Sequence, residues 1–284
     1  MNPYDPYAAP RAAPPPPTPY APDAAQGPWT IGDTLGAAWR AYASRWLPLT
    51  IAPILVGLVF VVPMFVLIGA WVGPELGSPQ GLALALQDPT LNASILGWNT
   101  VQIFVWAFFG VGLVRMRVAA ARGQEVRFGE LFSGGSRYLP MLGLQLVTAA
   151  PGLAINGLGI AACYAGADML FTMTNLLGNL WFLVLMLLQG FGLAFAEYFV
   201  VDRSEGTIAA IKSAFGAPSG DRGRVFGYLL VTALIAIAGA FCCGLPALVT
   251  MPYASVCVAA LYLRLAPPDA AQAFAPPPPA APPY

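Results

Sequence analysis

The side chains of this sequence able to do chemistry are few, and most sit where polarity is costly. Asn99, Gln102, Gln145, Thr148, Asn156, Asn175, Asn179, Gln189, Glu197, Thr232, Thr250 and Ser255 interrupt or border long apolar runs. A polar group in such a run is expensive in hydrocarbon and marks function unless packing accounts for it. Neutral amides and hydroxyls usually bond across helices and hold them together, and that is the economical reading for most of this set. The sharper reading takes Asn99, Gln102, Asn156, Asn179, Gln189 and Glu197 as the lining of a polar path.

Glu197, in AFAEYFVVDR, is the only acid close to an apolar run. Buried and paired with Arg115 or Arg117, it would bind a proton or a cation. At the level of the lipid headgroups it would instead be an interfacial carboxylate salt-bridged to an arginine. No set of nucleophile, base and metal ligands converges around it. The chain has no histidine, so the commonest metal ligand and the commonest base near neutral pH are missing. Cys163, Cys242, Cys243 and Cys257 lack C-x-x-C spacing and read as small apolar packing residues rather than zinc ligands. A disulfide from Cys163 to Cys242 or Cys243 is the alternative that an oxidising compartment would permit. No catalytic, metal or cofactor site is expected.

The elements that must position these groups follow from composition. With 58% hydrophobic and 9% charged residues, the chain is far from the roughly 25% charged that soluble domains carry, so its apolar surface must meet lipid. Six runs are long enough to cross about 30 Å of hydrocarbon as helices: Trp46 to Trp71, Ile95 to Val114, Leu139 to Cys163, Leu176 to Phe199, Val225 to Phe241, and Pro246 to Leu263. All thirteen Lys and Arg residues fall on one side of this six-pass reading, while the other side holds only Glu75, Asp88 and Asp168. Positive charge is retained in the cytoplasm, so both termini are expected there.

Residues 1–28 and 267–284 are rich in Pro and Ala and are expected to be disordered cytoplasmic tails, with residues 29–266 as the membrane domain. Residues 1–28 have neither a basic nor an apolar signal-peptide region, so insertion is expected to use the first span. Their Pro-Tyr clusters suit the aromatic grooves of cytoplasmic protein partners. With zero net charge and no long basic run, nucleic acid is not an expected partner. The lipid bilayer is.

A short motif recurs before the membrane. WTIGDTLGAAWRAYASRWLP places Ile31, Leu35, Trp39, Tyr42 and Trp46 along one helical face, with Thr30 as a cap. In VRFGELFSGGSRYLP, Phe128-Gly129-Glu130 and Arg137-Tyr138-Leu139-Pro140 echo Ile31-Gly32-Asp33 and Arg45-Trp46-Leu47-Pro48. DRSEGTIAAIKSAFG carries a shorter stripe of Ile208, Ile211 and Phe215. The expected architecture is all-α: three units, each an interfacial amphipathic helix followed by a transmembrane hairpin, all in one orientation.

VVDRSEGTIAAIKSAF, followed by a span ending in CCGLPALVTMPYASVCVAALYLRL, resembles the bacterial six-pass membrane proteins related to the membrane domain of glycerophosphoryl diester phosphodiesterases, over about residues 29 to 265. The resemblance implies a six-span fold in a bacterial inner membrane. In the fused phosphodiesterases a separate soluble domain hydrolyses the substrate, and no such domain is in this sequence, so no catalytic residue carries over. The expected function is a non-catalytic membrane scaffold or assembly factor that offers its tails to cytoplasmic partners. The alternative is a small-solute or lipid transporter with its polar path between the spans. An intramembrane enzyme ranks last.

Overall fold

The computed structural model of this chain describes residues 29–73, 88–190, 192–241 and 246–265. The two proline-rich tails, Glu75, Cys242 and Cys243 lie outside the described residues, and with them the expected disulfide partners of Cys163. Within those bounds the chain is helical: α1 Ile31–Ala43, α2 Trp46–Val72, α3 Pro89–Ala121, α4 Tyr138–Tyr164, α5 Asp168–Gly190, α6 Ala196–Asp202, α7 Thr207–Gly216, α8 Arg222–Phe241 and α9 Ala247–Leu265, with short 3₁₀ segments at Phe128–Phe132, Gly134–Arg137 and Leu193–Phe195.

Six of these helices, α2, α3, α4, α5, α8 and α9, are long and apolar enough to cross a membrane. The helix starts follow local chemistry. Thr30 caps α1 by accepting the Asp33 N–H at 3.1 Å while its hydroxyl donates to the Asp33 carboxylate at 2.5 Å, so two polar groups at a helix start satisfy each other. Asp88 accepts the Thr90 N–H at 2.7 Å and Pro89 opens α3, where its missing N–H costs nothing.

The helix α3 is the centre of the bundle and packs on α1, α2, α4, α6 and α9. More than half of its apolar window is buried (56%), against 6% for α5 at the periphery. The core lies where the charged connections gather. Ala38, Ala41 and Tyr42 of α1, Val111, Val114 and Val118 of α3, Phe195, Tyr198 and Phe199, and Val256, Leu261 and Tyr262 of α9 belong to one buried cluster. Away from it, large apolar side chains such as Phe65, Met169 and Leu176 point outward, at 71%, 78% and 70% exposure, as lipid-facing residues do.

Three sequence expectations change. The second juxtamembrane segment is not an amphipathic α-helix but two 3₁₀ turns. Its glycines explain this: Gly134 sits against the Phe108 carbonyl of α3, and a Cβ on Gly112 would come within 2.5 Å of the Leu131 carbonyl oxygen. Backbone therefore meets backbone, leaving no room for a helix with side chains all round. The fourth span is not continuous to Phe199. The helix α5 stops at Gly190, and Gly192 has φ 134, a conformation open to glycine but not to side chains; a Cβ there would also lie 2.6 Å from the Ala214 carbonyl oxygen. Gly190-x-Gly192, expected to serve close helix packing, thus breaks the span and seats α7 at the same point.

The third change concerns the amphipathic stripes. On α1 the buried face is Thr34, Ala37, Ala38, Ala41 and Tyr42, while Trp39 and Trp46 of the expected stripe are about half exposed. On α7 the buried pair is Ala210 and Ala214, and Ile208 is exposed. Apart from Tyr42 the fully buried residues of these two helices are small; Ile31, Leu35 and Ile211 pack partly buried against the core, and Trp39, Trp46 and Ile208 turn outward. Tyr253 of α9 fastens α1: its hydroxyl donates to the Leu35 carbonyl at 3.1 Å and its ring meets Trp39 edge-on at 5.3 Å.

Candidate functional site

The broken fourth span sets up the site. Because α5 ends at Gly190 and α6 restarts at Ala196, Glu197 and Tyr198 sit in the first turn of a new helix that packs on α3 and α4. Gln145 of α4 crosses to Glu197, its amide nitrogen donating to the carboxylate at 3.0 Å, with Trp106 as a second hydrogen-bonding neighbour. Arg117 of α3 approaches both groups, acting on the charge of Glu197 and bonding to the Tyr198 hydroxyl. The Tyr198 hydroxyl also lies 3.2 Å from the Ser255 carbonyl, and its ring stacks on Tyr262 at 5.3 Å.

These groups close one end of a cavity of about 760 Å³ between α4, α5, α8 and α9. Arg117, Gln145, Thr148, Gln189, Glu197, Tyr198, Thr232 and Ser255 supply its polar lining, and Leu144, Leu185, Met186, Leu230, Met251 and Val258 are among its apolar walls. The hydroxyls are turned back on their own helices: Thr148 donates to the Leu144 carbonyl, Thr232 to Tyr228 and Ser255 to Met251, at 2.8 to 3.0 Å. They are not cross-helix glue. Gln145 is, and it ties α4 to α6.

A second cavity of about 360 Å³ runs along α3, α4 and α5, lined by Asn92, Asn99, Asn156, Asn175, Thr174, Phe171 and Trp181. Asn156 and Asn175 each spend an amide proton on their own helix, on the Gly152 and Phe171 carbonyls respectively. Ala149 and Leu185 line both cavities. The two spaces therefore adjoin across these side chains; the smaller takes its polarity from neutral amides, and the larger contains opposite charges.

Of the six residues expected to form a polar path, Asn99 and Asn156 line the smaller cavity, and Gln189 and Glu197 line the larger. Gln102 is half-buried on α3 and Asn179 exposed on α5, and neither lines either space. Of the two arginines expected near Glu197, Arg117 is the neighbour. Arg115 turns away to the Ser133 carbonyl at 3.3 Å and the Ser136 hydroxyl at 2.7 Å.

The buried ion pair lies elsewhere. Arg122 at the end of α3 meets Asp202 of α6 at 2.8 Å, and Tyr262 of α9 donates to the same carboxylate oxygen at 3.0 Å. Sequence reasoning passed over this triad because Asp202 stands next to Arg203 and reads as locally neutralised. Arg203 instead covers the Phe199 ring at 4.7 Å. Among the described residues no group of three His, Cys, Asp or Glu side chains is placed to hold a metal ion.

Six apolar spans, a core gathered with the arginines, and outward-facing large aliphatics define a multi-pass α-helical membrane protein. No protein-family model, no curated protein and no solved structure matches the chain.

Proposed function

We propose that this protein is a non-catalytic membrane carrier that holds a lipid or small solute in the two adjoining cavities along α4 and α5 and passes it between the membrane faces. The observation that carries the reading is a pair of adjoining cavities that share Ala149 and Leu185 in their linings. Cavities that combine polar groups with apolar walls fit a ligand with a polar and an apolar part. Scaffolding through proline-rich tails rests on residues 1–28 and 267–284, outside the described residues, so the cavities put the carrier first.

The rest of the reading is the setting of this carrier. The chain forms three hairpin units in one orientation, in a bacterial inner membrane, with the tails and the end bearing Arg45, Arg122, Arg137 and Arg203 in the cytoplasm. One-sided basic charge supports that orientation. Asp88 and Asp168, at the starts of α3 and α5, then face the outside.

Liposomes containing the purified protein and a phospholipid with a fluorescent headgroup test the carrier. Movement of the probe between leaflets is expected with the wild type and is lost in Ala149→Phe, which fills the junction of the cavities. An Ala149→Phe protein that inserts normally and moves the probe as fast as wild type would sink the reading. Deleting residues 1–26 and 268–284 separates the classes: a carrier keeps its flux, whereas a scaffold loses its cytoplasmic partners in a pull-down.

A further inference from the structure

Opposite charges in one membrane cavity should neutralise each other by direct contact, because an uncompensated charge in a low-dielectric space costs several kcal/mol, on the order of a lost buried partner. In the larger cavity they do not. Among the described residues the ion pairs are Arg122 with Asp202, Arg127 with Glu125, and Arg224 with Asp221. Arg117 and Glu197 are close enough to interact but stand beyond ion-pair distance, and both line the cavity. Glu197 instead accepts from the Gln145 amide, and Arg117 has the Tyr198 hydroxyl as its hydrogen-bonding neighbour.

We propose that this cavity holds the headgroup of a zwitterionic phospholipid, with the phosphate on Arg117 and the ammonium on Glu197. The proposal rests on the carrier reading above and names its ligand. Charge complementarity argues for that headgroup. A guanidinium recognises a phosphate oxygen pair by two parallel N–H donors, and a carboxylate oxygen beside Gln145 can accept from an ammonium. A purely anionic headgroup would satisfy Arg117 and set a negative charge beside Glu197. A neutral one would leave both charges unmet.

The walls argue for a lipid rather than a free zwitterion. Met186, Leu187, Leu230 and Met251 line the cavity and are about half exposed on the outer faces of α5, α8 and α9. The cavity is therefore open sideways toward the bilayer, through the side where α5 makes only slight contact with α8. A volume of about 760 Å³ takes a headgroup and the first part of its chains, and the rest of the chains run out between those helices into lipid.

Native mass spectrometry of the full-length protein in detergent containing equal amounts of phosphatidylethanolamine, phosphatidylglycerol and diacylglycerol tests this. The wild type is expected to retain one phosphatidylethanolamine, saturably, about tenfold over phosphatidylglycerol, a difference equivalent to about 1.4 kcal/mol. Glu197→Gln should bind the two phospholipids equally. Arg117→Gln should lose both relative to diacylglycerol. Ala233→Trp, which narrows the wall and touches neither charge, should lose all three. Equal retention of the two phospholipids by the wild type overturns the headgroup assignment and leaves the carrier standing. Absence of any saturable lipid in the wild type overturns the reading of the protein as a lipid carrier. Both decisive results come from the unmodified protein, so a variant that fails to fold does not protect the proposal.

Discussion

Arg45 and Arg137 hold equivalent places in two successive stretches of the chain. Each stands immediately before a long helix, with φ and ψ of −139° and 26° at Arg45 and −128° and 17° at Arg137. Each sends its guanidinium to the backbone carbonyl of a residue with positive φ just beyond a later helix: Arg45 to Gly123 beyond α3, and Arg137 to Ser204 beyond α6. The repeated Arg-aromatic-Leu-Pro motif is thus a latch, fastening the start of one span to the turn after the next.

Removing a latch removes a charged hydrogen bond to a carbonyl, worth about 1.5 to 3 kcal/mol. Arg45→Ala should fall within that range. Arg137→Ala should cost less, because its bond is long at 3.4 Å. Thermal unfolding in detergent measures both; a larger loss for Arg137→Ala would contradict the geometry.

The Arg122–Asp202–Tyr262 triad predicts an uneven pair of mutants. Asp202 is 6% exposed and Tyr262 1%, so Asp202→Ala strands a half-buried guanidinium and should cost about 3 to 5 kcal/mol. Tyr262→Phe removes one hydrogen bond and should cost about 1 kcal/mol. Unfolding midpoints of the two variants in the same detergent check the order.

Glycine at positions 112 and 134 is required by close backbone approach. Gly112→Ala should lose about 1 to 3 kcal/mol through overpacking, since its new methyl meets the Leu131 backbone. Gly32→Ala, with open space around it on α1, should be neutral or stabilising. If both substitutions prove neutral, the seating of the 3₁₀ turns on α3 is wrong.

Glu130 gives a pH dependence. Burial pushes its carboxyl above the ordinary 4.5, against the opposing charges of Arg115 and Arg127. The folded protein therefore holds this proton more tightly than the unfolded chain, so the contribution of Glu130 to stability is fullest below pH 4.5 and is lost as pH rises through the folded value. Glu130→Gln should remove that decline and exceed the wild type at neutral pH. Denaturation midpoints across the acid range read it directly.

Cysteine scanning tests orientation. A cysteine at Ala165, beyond the end of α4, should react with an impermeant reagent added from outside, and one at Ser219, between α7 and α8, should not. The reverse pattern would invert the protein in the membrane.

The spans were legible in the sequence because apolar runs and one-sided arginines need no knowledge of neighbours. The helix α7 was legible too, from the short apolar stripe of Ile208, Ile211 and Phe215. What escaped depends on packing at a distance. Gly190-x-Gly192 reads alike as a close contact and as a break, and Ala214 on another helix decides between them. The alanines of α1 and α7 that meet the core were missed because a search for large apolar residues passes over small ones. For the site, Glu197 stood out as an acid beside an apolar run, but the sequence could not choose between Arg115 and Arg117 as its neighbour. Asn99 and Gln102 looked equivalent, three residues apart on one helix, yet only Asn99 reaches a cavity.

The latches also impose an order on synthesis. Arg45 and Gly123 are 78 residues apart, and Arg137 and Ser204 are 67 apart, with no overlap between the two stretches. Each can close as soon as its own pair of spans has left the ribosome and entered the membrane. Asp202 differs: it bonds to Arg122, made 80 residues earlier, and to Tyr262, made 60 residues later. A chain stalled before its last span therefore holds two fastened pairs joined by an ion pair that still lacks its third member, and the final helix completes the assembly.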